Sequence, residues 1–438
     1  MPLTDAQLKD LGSKLFLLQK PADTKLQKPR NTTGADDLDA KLKSIGSDRR
    51  FSDWGIGVVD FTKSVMLPKV WLHNGDDSWR VGSTGKIAIL LAAFQLRDDV
   101  LTVQATKLLK KPEEYDDLFA MDKLWRMASD SRVRQIAGKD HAPRISTIFD
   151  FSKGDAAFTG AAPDTPDFNN VLDRLALTQG KQTFEAHLHW NEAIDYDFSE
   201  RLWLMGAMSD NVAATSCLSE IGVAYVKAVQ RAYGLFDEPK GMHLLLAGPY
   251  SPESPKTVVG NNTTLTYRPL QDIEMHDVKD ALFNAASKKF DDQKSWEPGS
   301  AAALMAYMIA FIQQQLVGFG HGLGAGVVAC ELMKKYLSHG VPQRSTHSYI
   351  ALGVKGVTDI TDQITKIGLL GKADGEPDPL NTEFAYLETK EKAAPHKVMK
   401  YGVVVTGIRS KPNTDGTPGP SATSLTKDLG VLIHQALL

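Results

Sequence analysis

The chain has 438 residues and a formal net charge of −3 at pH 7, a length that suffices for one large domain or two to three ordinary ones. The slight acidic balance argues against a general nucleic-acid binder, and two cysteines cannot build a disulfide framework. No run reaches the roughly 18 continuous apolar residues of a membrane span, and the first residues lack a signal-peptide core. We therefore expect a cytoplasmic protein that binds neither nucleic acid nor membrane.

The N-terminal segment 1–45 is polar and is interrupted by prolines, which predicts an extension or a loosely packed arm. The segments 54–61 and 69–73 are rich in β-branched and aromatic residues and predict two strands. Directly after them, 83–100 has the length and apolar density of a buried helix, with Ser83 as its predicted N-cap.

The middle of the chain, 97–344, contains several runs with apolar residues at helical spacing and predicts an all-helical domain with an insertion at about 110–205. Three strand-like segments and a closing helix follow. Strands at both ends predict an α/β (α+β) fold, in which 46–96 and 345–438 share one sheet flanked by helices.

The stretch GSTGK, 82–86, admits two interpretations. A phosphate-binding loop needs glycine where the chain has Arg80, and serine or threonine where it has Ile87, so that interpretation fails. In the other, Ser83 and Lys86 stand three residues apart at a helix start, on nearly the same face. A serine hydroxyl becomes a nucleophile when a base removes its proton, and a desolvated lysine can be that base.

The S-x-x-K spacing alone is a weak signal, because Ser424 and Lys427 repeat it near the C-terminus. Order along the chain strengthens it: Ser209-Asp210-Asn211 follows an apolar helical run, and Lys366-Ile367-Gly368 lies in a predicted strand. This three-part pattern resembles that of the serine β-lactamases and penicillin-binding proteins (DD-peptidases) from about residue 50 to the end. Lys400, which also opens a K-x-G triplet, remains the alternative to Lys366.

The resemblance implies an antiparallel sheet flanked by helices, an all-α lobe and no cofactor or metal. Ser83 would form the acyl-enzyme, Lys86 would accept its proton, Ser209 would relay that proton, and Lys366 would keep the potential positive. The implied substrate-binding residues are Asn211, Ile367, Gly368 and Leu369, with the N–H groups of Ser83 and Leu369 around the oxyanion.

The sequence departs from the family pattern in three ways. Ile367 replaces a hydroxyl that helps to grip a substrate carboxylate, a hydrogen bond worth about 1.5–3 kcal/mol. The segment where class A enzymes carry a deacylating glutamate offers only Glu238 and Glu253, without the expected motif. The insertion doubles the usual distance from nucleophile to S-D-N. His187 and His189 share a strand-like face, although packed or surface histidines explain them better than a metal site does.

These observations predict a serine acyl hydrolase or acyltransferase that acts on a small-molecule ester or amide. A true β-lactamase or D,D-peptidase is the alternative within the same chemistry. A non-catalytic binding or sensing module with this fold is the alternative outside it. The sequence leaves the oligomeric state open.

Overall fold

The computed structural model describes 3–19, 26–33, 38–138, 141–153, 157–158, 198–207, 209, 211–236, 242–246, 256–259, 263–266, 298–318, 325–337, 348–369, 380–392, 394–410, 415, 417 and 419–438. Its helices are α1 (Asp5–Lys14), α2 (Leu38–Ser47), α3 (Ile87–Ala105), α4 (Pro112–Phe119), α5 (Asp122–Arg126), α6 (Ile145–Ile148), α7 (Phe198–Ala207), α8 (Asn211–Ile221), α9 (Val223–Ala232), α10 (Ala301–Ile312), α11 (Ala325–Leu337), α12 (Tyr349–Lys355) and α13 (Ala422–Leu437). Short 3₁₀ turns occupy Phe16–Leu18, Gly82–Lys86, Val133–Ile136 and Phe151–Lys153.

The strands are β1 (Gly55–Asp60), β2 (Lys69–His73), β3 (Ser78–Arg80), β4 (Phe149–Asp150), β5 (Ala157–Phe158), β6 (Lys256–Val259), β7 (Thr263–Thr266), β8 (Pro298–Ser300), β9 (Asp359–Leu369), β10 (Leu380–Lys390) and β11 (Val398–Thr406). Five of them form an antiparallel sheet in the order β2-β1-β11-β10-β9. The N-terminal and C-terminal parts of the chain therefore share one sheet, and the predicted fold class is confirmed.

Helices cover the sheet on both faces. On β11, Val403 and Val405 pack into a cluster with α2, α12 and α13, whereas Val404 joins the larger core around α3 and α10. Successive residues of a strand point to opposite faces, so this alternation is what a sheet buried on both sides requires. The two layers leave β9 at the edge of the sheet, beside the Gly82–Lys86 turn.

Helix α3 is the central element of the larger core. Every residue from Ile87 to Leu96 is buried, so this segment has no polar face. A helix that is apolar all round is stable only when other elements surround it. Helices α7, α8, α9 and α11 pack around α3, and this packing fixes the position of the turn at its N-terminal end. Among the helices of the described residues, none is both long and apolar enough to cross a membrane.

The region 97–344 is not exclusively helical, so that part of the prediction is wrong. Strands β4–β8 lie within it, and β8 pairs with β3 directly before the Gly82–Lys86 turn. Strands of two to four residues are too short to develop a recognisable alternation of apolar and polar residues. Of the predicted insertion at about 110–205, the described parts form α4, α5, α6 and most of α7.

The predicted loosely packed arm is also wrong over the described part of the N-terminus. Helix α1 and the turn after it bury Leu8, Leu11, Leu15 and Phe16 in the larger core. The Phe16 N–H donates to the Asp99 carboxylate of α3 over 2.9 Å. The N-terminal segment is therefore part of the domain that carries α3.

Candidate active site

The Gly82–Lys86 turn brings Ser83 and Lys86 together. It is a 3₁₀ turn with three residues per turn, so side chains at positions i and i+3 lie above one another. The Lys86 Nζ lies 3.1 Å from the Ser83 Oγ. The predicted N-cap role of Ser83 is wrong, because α3 begins after Lys86 and the turn has no side-chain cap. The Ser83 hydroxyl therefore contacts the amine instead of the helix end.

Ser209 and Asn211 reach the same amine from the other side. The Lys86 Nζ donates to the Ser209 backbone carbonyl and to the Asn211 Oδ1, each at 2.6 Å, and lies 3.4 Å from the Ser209 Oγ. Ser209 has a φ of 62°, in the left-handed region that costs a non-glycine residue about 1–3 kcal/mol. This backbone conformation occurs where the carbonyl of Ser209 contacts Lys86.

The hydrogen bonds of Lys86 suit either a charged amine, which would donate to all three residues, or the uncharged amine that a base requires. A neutral amine has two N–H donors and one lone pair. The Ser209 carbonyl and the Asn211 Oδ1 only accept hydrogen bonds, so both donors are taken. The lone pair then remains for the O–H of Ser83. Lys86 is 1% exposed, so water competes little for these positions.

Lys366 lies on β9 and is also buried, with 3% exposure. Its Nζ donates to the backbone carbonyls of Met205 at 3.1 Å and Gly206 at 2.9 Å, at the end of α7. Burial, and to a lesser degree repulsion from Lys86, lowers the pKa of Lys366 well below its usual value. The expected role of Lys366 as a source of positive potential is therefore disfavoured by its surroundings.

The structure separates the two candidate lysines of the K-x-G triplet. Lys400 lies on β11, where its Nζ pairs with the Glu388 carboxylate at 3.0 Å. Lys366 is the lysine whose pKa is lowered by the proximity of Lys86, in addition to the larger effect of burial. Of the two, Lys366 is thus the one that the fold brings to the Ser83 site.

The backbone of Gly368 and Leu369 touches the backbone directly before Ser83. A Cβ on Gly368 would overlap the Val81 carbonyl oxygen, so only glycine permits this approach. Gly82 has a φ of +52°, and a Cβ there would lie 2.7 Å from the Leu369 carbonyl oxygen. The N–H groups of Ser83 and Leu369 therefore belong to two segments in contact, as the proposed oxyanion site requires.

Ile367 does not join this group. Its side chain is 9% exposed and packs with the cluster of α12 and α13, on the face of β9 opposite to Lys366. Consecutive strand residues point to opposite faces, so Lys366 and Ile367 cannot both face the site. The prediction that Ile367 lines the substrate pocket is corrected.

Several solved structures are similar to the chain. The first is a β-lactamase from Chitinophaga pinensis, with 12% identity and a TM-score of 0.41 over 92% of this chain and 99% of that one. The second is a class A β-lactamase from Bacteroides cellulosilyticus, with 11% identity and a TM-score of 0.40 over 91% and 96%. The third is the class A enzyme of the last common ancestor of Gram-negative bacteria, with 15% identity and a TM-score of 0.40 over 92% and 99%.

The chain resembles class A β-lactamases. Neither a protein-family model nor a curated protein matches the sequence. Because identities of 11–15% and TM-scores near 0.40 describe a distant similarity, the function proposed below rests on the contacts of Lys86.

The remaining sequence candidates contribute no contact to this group. The second S-x-x-K pair, Ser424 and Lys427, is exposed on α13, and Trp203 is buried in the larger core. In the part of the chain that the structure describes, no three His, Cys, Asp or Glu residues come together as a metal site. The candidates outside the described residues are His187, His189, Trp190, Tyr196, Glu238, Glu253 and most of the glycine-rich segment 318–326.

Sequence reasoning missed two contributors to the geometry. Gly82 was not singled out, although glycine directly before a predicted nucleophile signals a special backbone conformation. Asn381, at the start of β10, donates its side-chain amide to the Arg80 carbonyl and so ties the strand before the turn to the sheet. No pattern in the sequence connects residues 80 and 381.

Proposed function

We propose that the protein is a serine acyl hydrolase or acyltransferase that acts on an ester or amide through an acyl-enzyme on Ser83. One observation carries the proposal. A buried amine, that of Lys86, has both donors of its neutral form committed to acceptor-only oxygens and lies 3.1 Å from a serine hydroxyl. A positioned base of this kind typically accelerates proton transfer about 10²- to 10⁴-fold.

In the acylation step, the Ser83 Oγ bonds to the substrate carbonyl carbon while its proton passes to the lone pair of Lys86. The carbonyl oxygen becomes an oxyanion beside the N–H groups of Ser83 and Leu369. The removal of one such donor typically costs about 2.7–4 kcal/mol of transition-state stabilisation. Half-buried Ser83 is accessible to a substrate, whereas Lys86 is not.

When the tetrahedral intermediate collapses, the bond to the leaving oxygen or nitrogen breaks and that atom needs a proton. The Ser209 Oγ, 3.4 Å from the Lys86 Nζ, is the hydroxyl through which the proton would pass from Lys86 to the leaving group. Asn211 keeps its Oδ1 on Lys86, so its NH₂ group is the part that would donate to the substrate. Water or an amine then takes the acyl group from Ser83.

The second S-x-x-K pair provides a matched control for this proposal. Ser424 and Lys427 have the same spacing as Ser83 and Lys86, yet both are exposed, so the Lys427 amine is open to solvent. If spacing sufficed, both serines would react. If burial and the contacts of the amine decide, only Ser83 reacts.

The test is labelling by a neutral fluorophosphonate, followed by intact-mass spectrometry. We expect one adduct on the wild type, none on Ser83→Ala, and labelling of Lys86→Met at least about 100-fold more slowly. Ser424→Ala and Lys427→Met should be labelled at the wild-type rate. Equal labelling of Ser83→Ala, or an unmodified wild type, would refute the proposal and favour a non-catalytic module.

A further inference from the structure

Among the described residues of β9 and β10, the end beside Ser83 carries no basic side chain other than Lys366, since Lys390 lies at the far end of the pair. The register places Gly368 opposite Thr382 and Ile367 opposite Glu383. The Glu383 carboxylate is fully buried and accepts hydrogen bonds from Ser348, Tyr349 and Ile350 at the start of α12. Glu383 therefore lies on the same face of the sheet as Ile367, opposite to Lys366, and does not line the site.

The two amines of the site are poorly available to a substrate anion. Lys86 is hydrogen-bonded to Ser83, Ser209 and Asn211. Lys366 donates to the backbone carbonyls of Met205 and Gly206. Both are at most 3% exposed. A substrate carboxylate would have to give up its water without gaining a direct contact to the amine of either lysine.

Leu369 is the side chain that β9 exposes at this point. It is 45% exposed, although leucine is among the residues that proteins most often bury. Its backbone lies against Gly82, one residue from the nucleophile. The last residue of β9 is thus an exposed apolar one whose backbone contacts the residue before the nucleophile.

We propose that the Ser83 site selects neutral acyl donors, esters or amides without a carboxylate close to the scissile bond, and that Leu369 is a specificity-determining residue. The proposal rests on the serine acyl-transfer function argued above. It follows from the face that Ile367 adopts, the buried contacts of Lys366 and the exposed leucine. A polar group that loses its water without gaining a partner costs about 1–3 kcal/mol, and more when it is charged, which corresponds to about a ten- to hundredfold preference for the neutral substrate.

Two matched ester pairs test this selectivity, one on each side of the scissile bond. On the acyl side, p-nitrophenyl butyrate is compared with mono-p-nitrophenyl succinate, in which a carboxylate replaces the terminal methyl. On the leaving-group side, 3-carbamoylphenyl butyrate is compared with 3-carboxyphenyl butyrate, which is nearly isosteric. The quantity compared within each pair is kcat/KM divided by the rate constant for hydrolysis of the same ester by hydroxide. We expect the neutral member to be preferred about ten- to a hundredfold in both pairs.

Leu369→Lys places a cation at the exposed position and should reduce the preference at least tenfold in one of the pairs. Leu369→Gln, of similar size and uncharged, should leave the preference within about threefold of the wild type. Equal or faster turnover of a charged ester by the wild type, or no effect of Leu369→Lys, would overturn the inference. If the fluorophosphonate still labels Ser83 in that case, the inference alone fails, whereas an unlabelled protein means that the acyl-transfer function fails with it.

Discussion

Asn211 and Ser209 each direct an oxygen at Lys86, but only the oxygen of Asn211 can be changed by substitution. The Ser209 contact comes from the backbone, whereas the Asn211 contact comes from the side-chain carbonyl at 2.6 Å. An amide oxygen accepts a hydrogen bond without adding a charge, so it holds the amine in place and leaves it free to be neutral. A carboxylate at the same place would hold the amine protonated.

Asn211→Asp is therefore expected to make the enzyme slow at neutral pH. A carboxylate within 4–6 Å stabilises a charged partner by about 1–3 pKa units, so the acidic limb of the pH–rate profile should move upward by that amount. The activity should recover in part at alkaline pH. The measurement is the rate of fluorophosphonate labelling from about pH 6 to about pH 10.

Asn211→Ala is the companion variant, because it removes the contact without adding a charge. Its activity should fall, but the position of the acidic limb should move far less than in Asn211→Asp. An Asn211→Asp profile that lies on the wild-type profile would mean that Lys86 is not the group that titrates.

For single residues, the sequence predicted which residues form the site better than it predicted where their side chains point. The motif order was enough to select Ser83, Lys86, Ser209 and Asn211, and all four meet. The motif order gave the wrong orientation for Ile367, because a K-x-G triplet does not determine which face of the strand each of its residues occupies.

At the scale of elements, the site depends on how β9 docks against the Gly82–Lys86 turn. Gly368 makes this possible, since its missing side chain admits the Val81 carbonyl oxygen. The adjacent Leu369 N–H then lies on the segment that touches Gly82. A small displacement of β9 would move the Leu369 N–H, the proposed oxyanion donor, while leaving Ser83, Lys86, Ser209 and Asn211 in place.

Gly368→Ala is expected to lower kcat/KM about 10²- to 10³-fold, the usual cost of losing one oxyanion donor. The matched control is Gly356→Ala at the end of α12, where φ is −66° and a Cβ would meet only the Gly353 carbonyl oxygen, at 3.3 Å. It should keep wild-type activity. The measurements are ester turnover and thermal melting of both variants; wild-type turnover by folded Gly368→Ala would show that this contact is dispensable.

The longer helices and strands could be predicted from the sequence, whereas the shortest strands could not. The strand at 69–73 was predicted with the bounds it has, and the closing helix was found as α13. The helix predicted over 83–100 begins at Ile87 and continues to Ala105. β8 pairs with β3 across more than half of the chain, and local periodicity contains no information on such a distant partner.

At the scale of the whole molecule, the N-terminal segment is joined to α3 by a buried polar network. Asp99 of α3 accepts the Phe16 N–H at 2.9 Å and the Tyr225 hydroxyl at 2.8 Å. Gln95, one turn earlier, accepts the Tyr233 hydroxyl at 2.7 Å. The polar composition of the N-terminus concealed this packing, since only a few apolar residues of α1 and its following turn enter the core.

The network makes stability depend on pH. Burial raises the pKa of Asp99 from 3.8 to about 7, against the opposing effect of the hydrogen bonds from Phe16 and Tyr225. Between these two values the folded chain holds a proton that the unfolded chain has lost, so the free energy of unfolding falls as the pH rises. A shift of three units corresponds to on the order of 4 kcal/mol. Glu383, with a pKa raised from 4.5 to about 7 by burial, acts in the same direction.

Asp99→Asn should remove the part of this pH dependence that Asp99 causes, because the amide is uncharged at every pH and nearly isosteric. Relative to the wild type, the variant should become more stable as the pH rises from about 4.5 to about 8, by up to the 4 kcal/mol of the linkage. Glu383 is present in both proteins, so its contribution to the pH dependence of stability cancels in the comparison. Denaturant unfolding at several pH values measures this difference in the free energy of unfolding. The control is Asp10→Asn, because Asp10 is exposed on α1, where it pairs with Lys14. Parallel stability curves for wild type and Asp99→Asn would mean that Asp99 is already ionised in the folded chain at low pH.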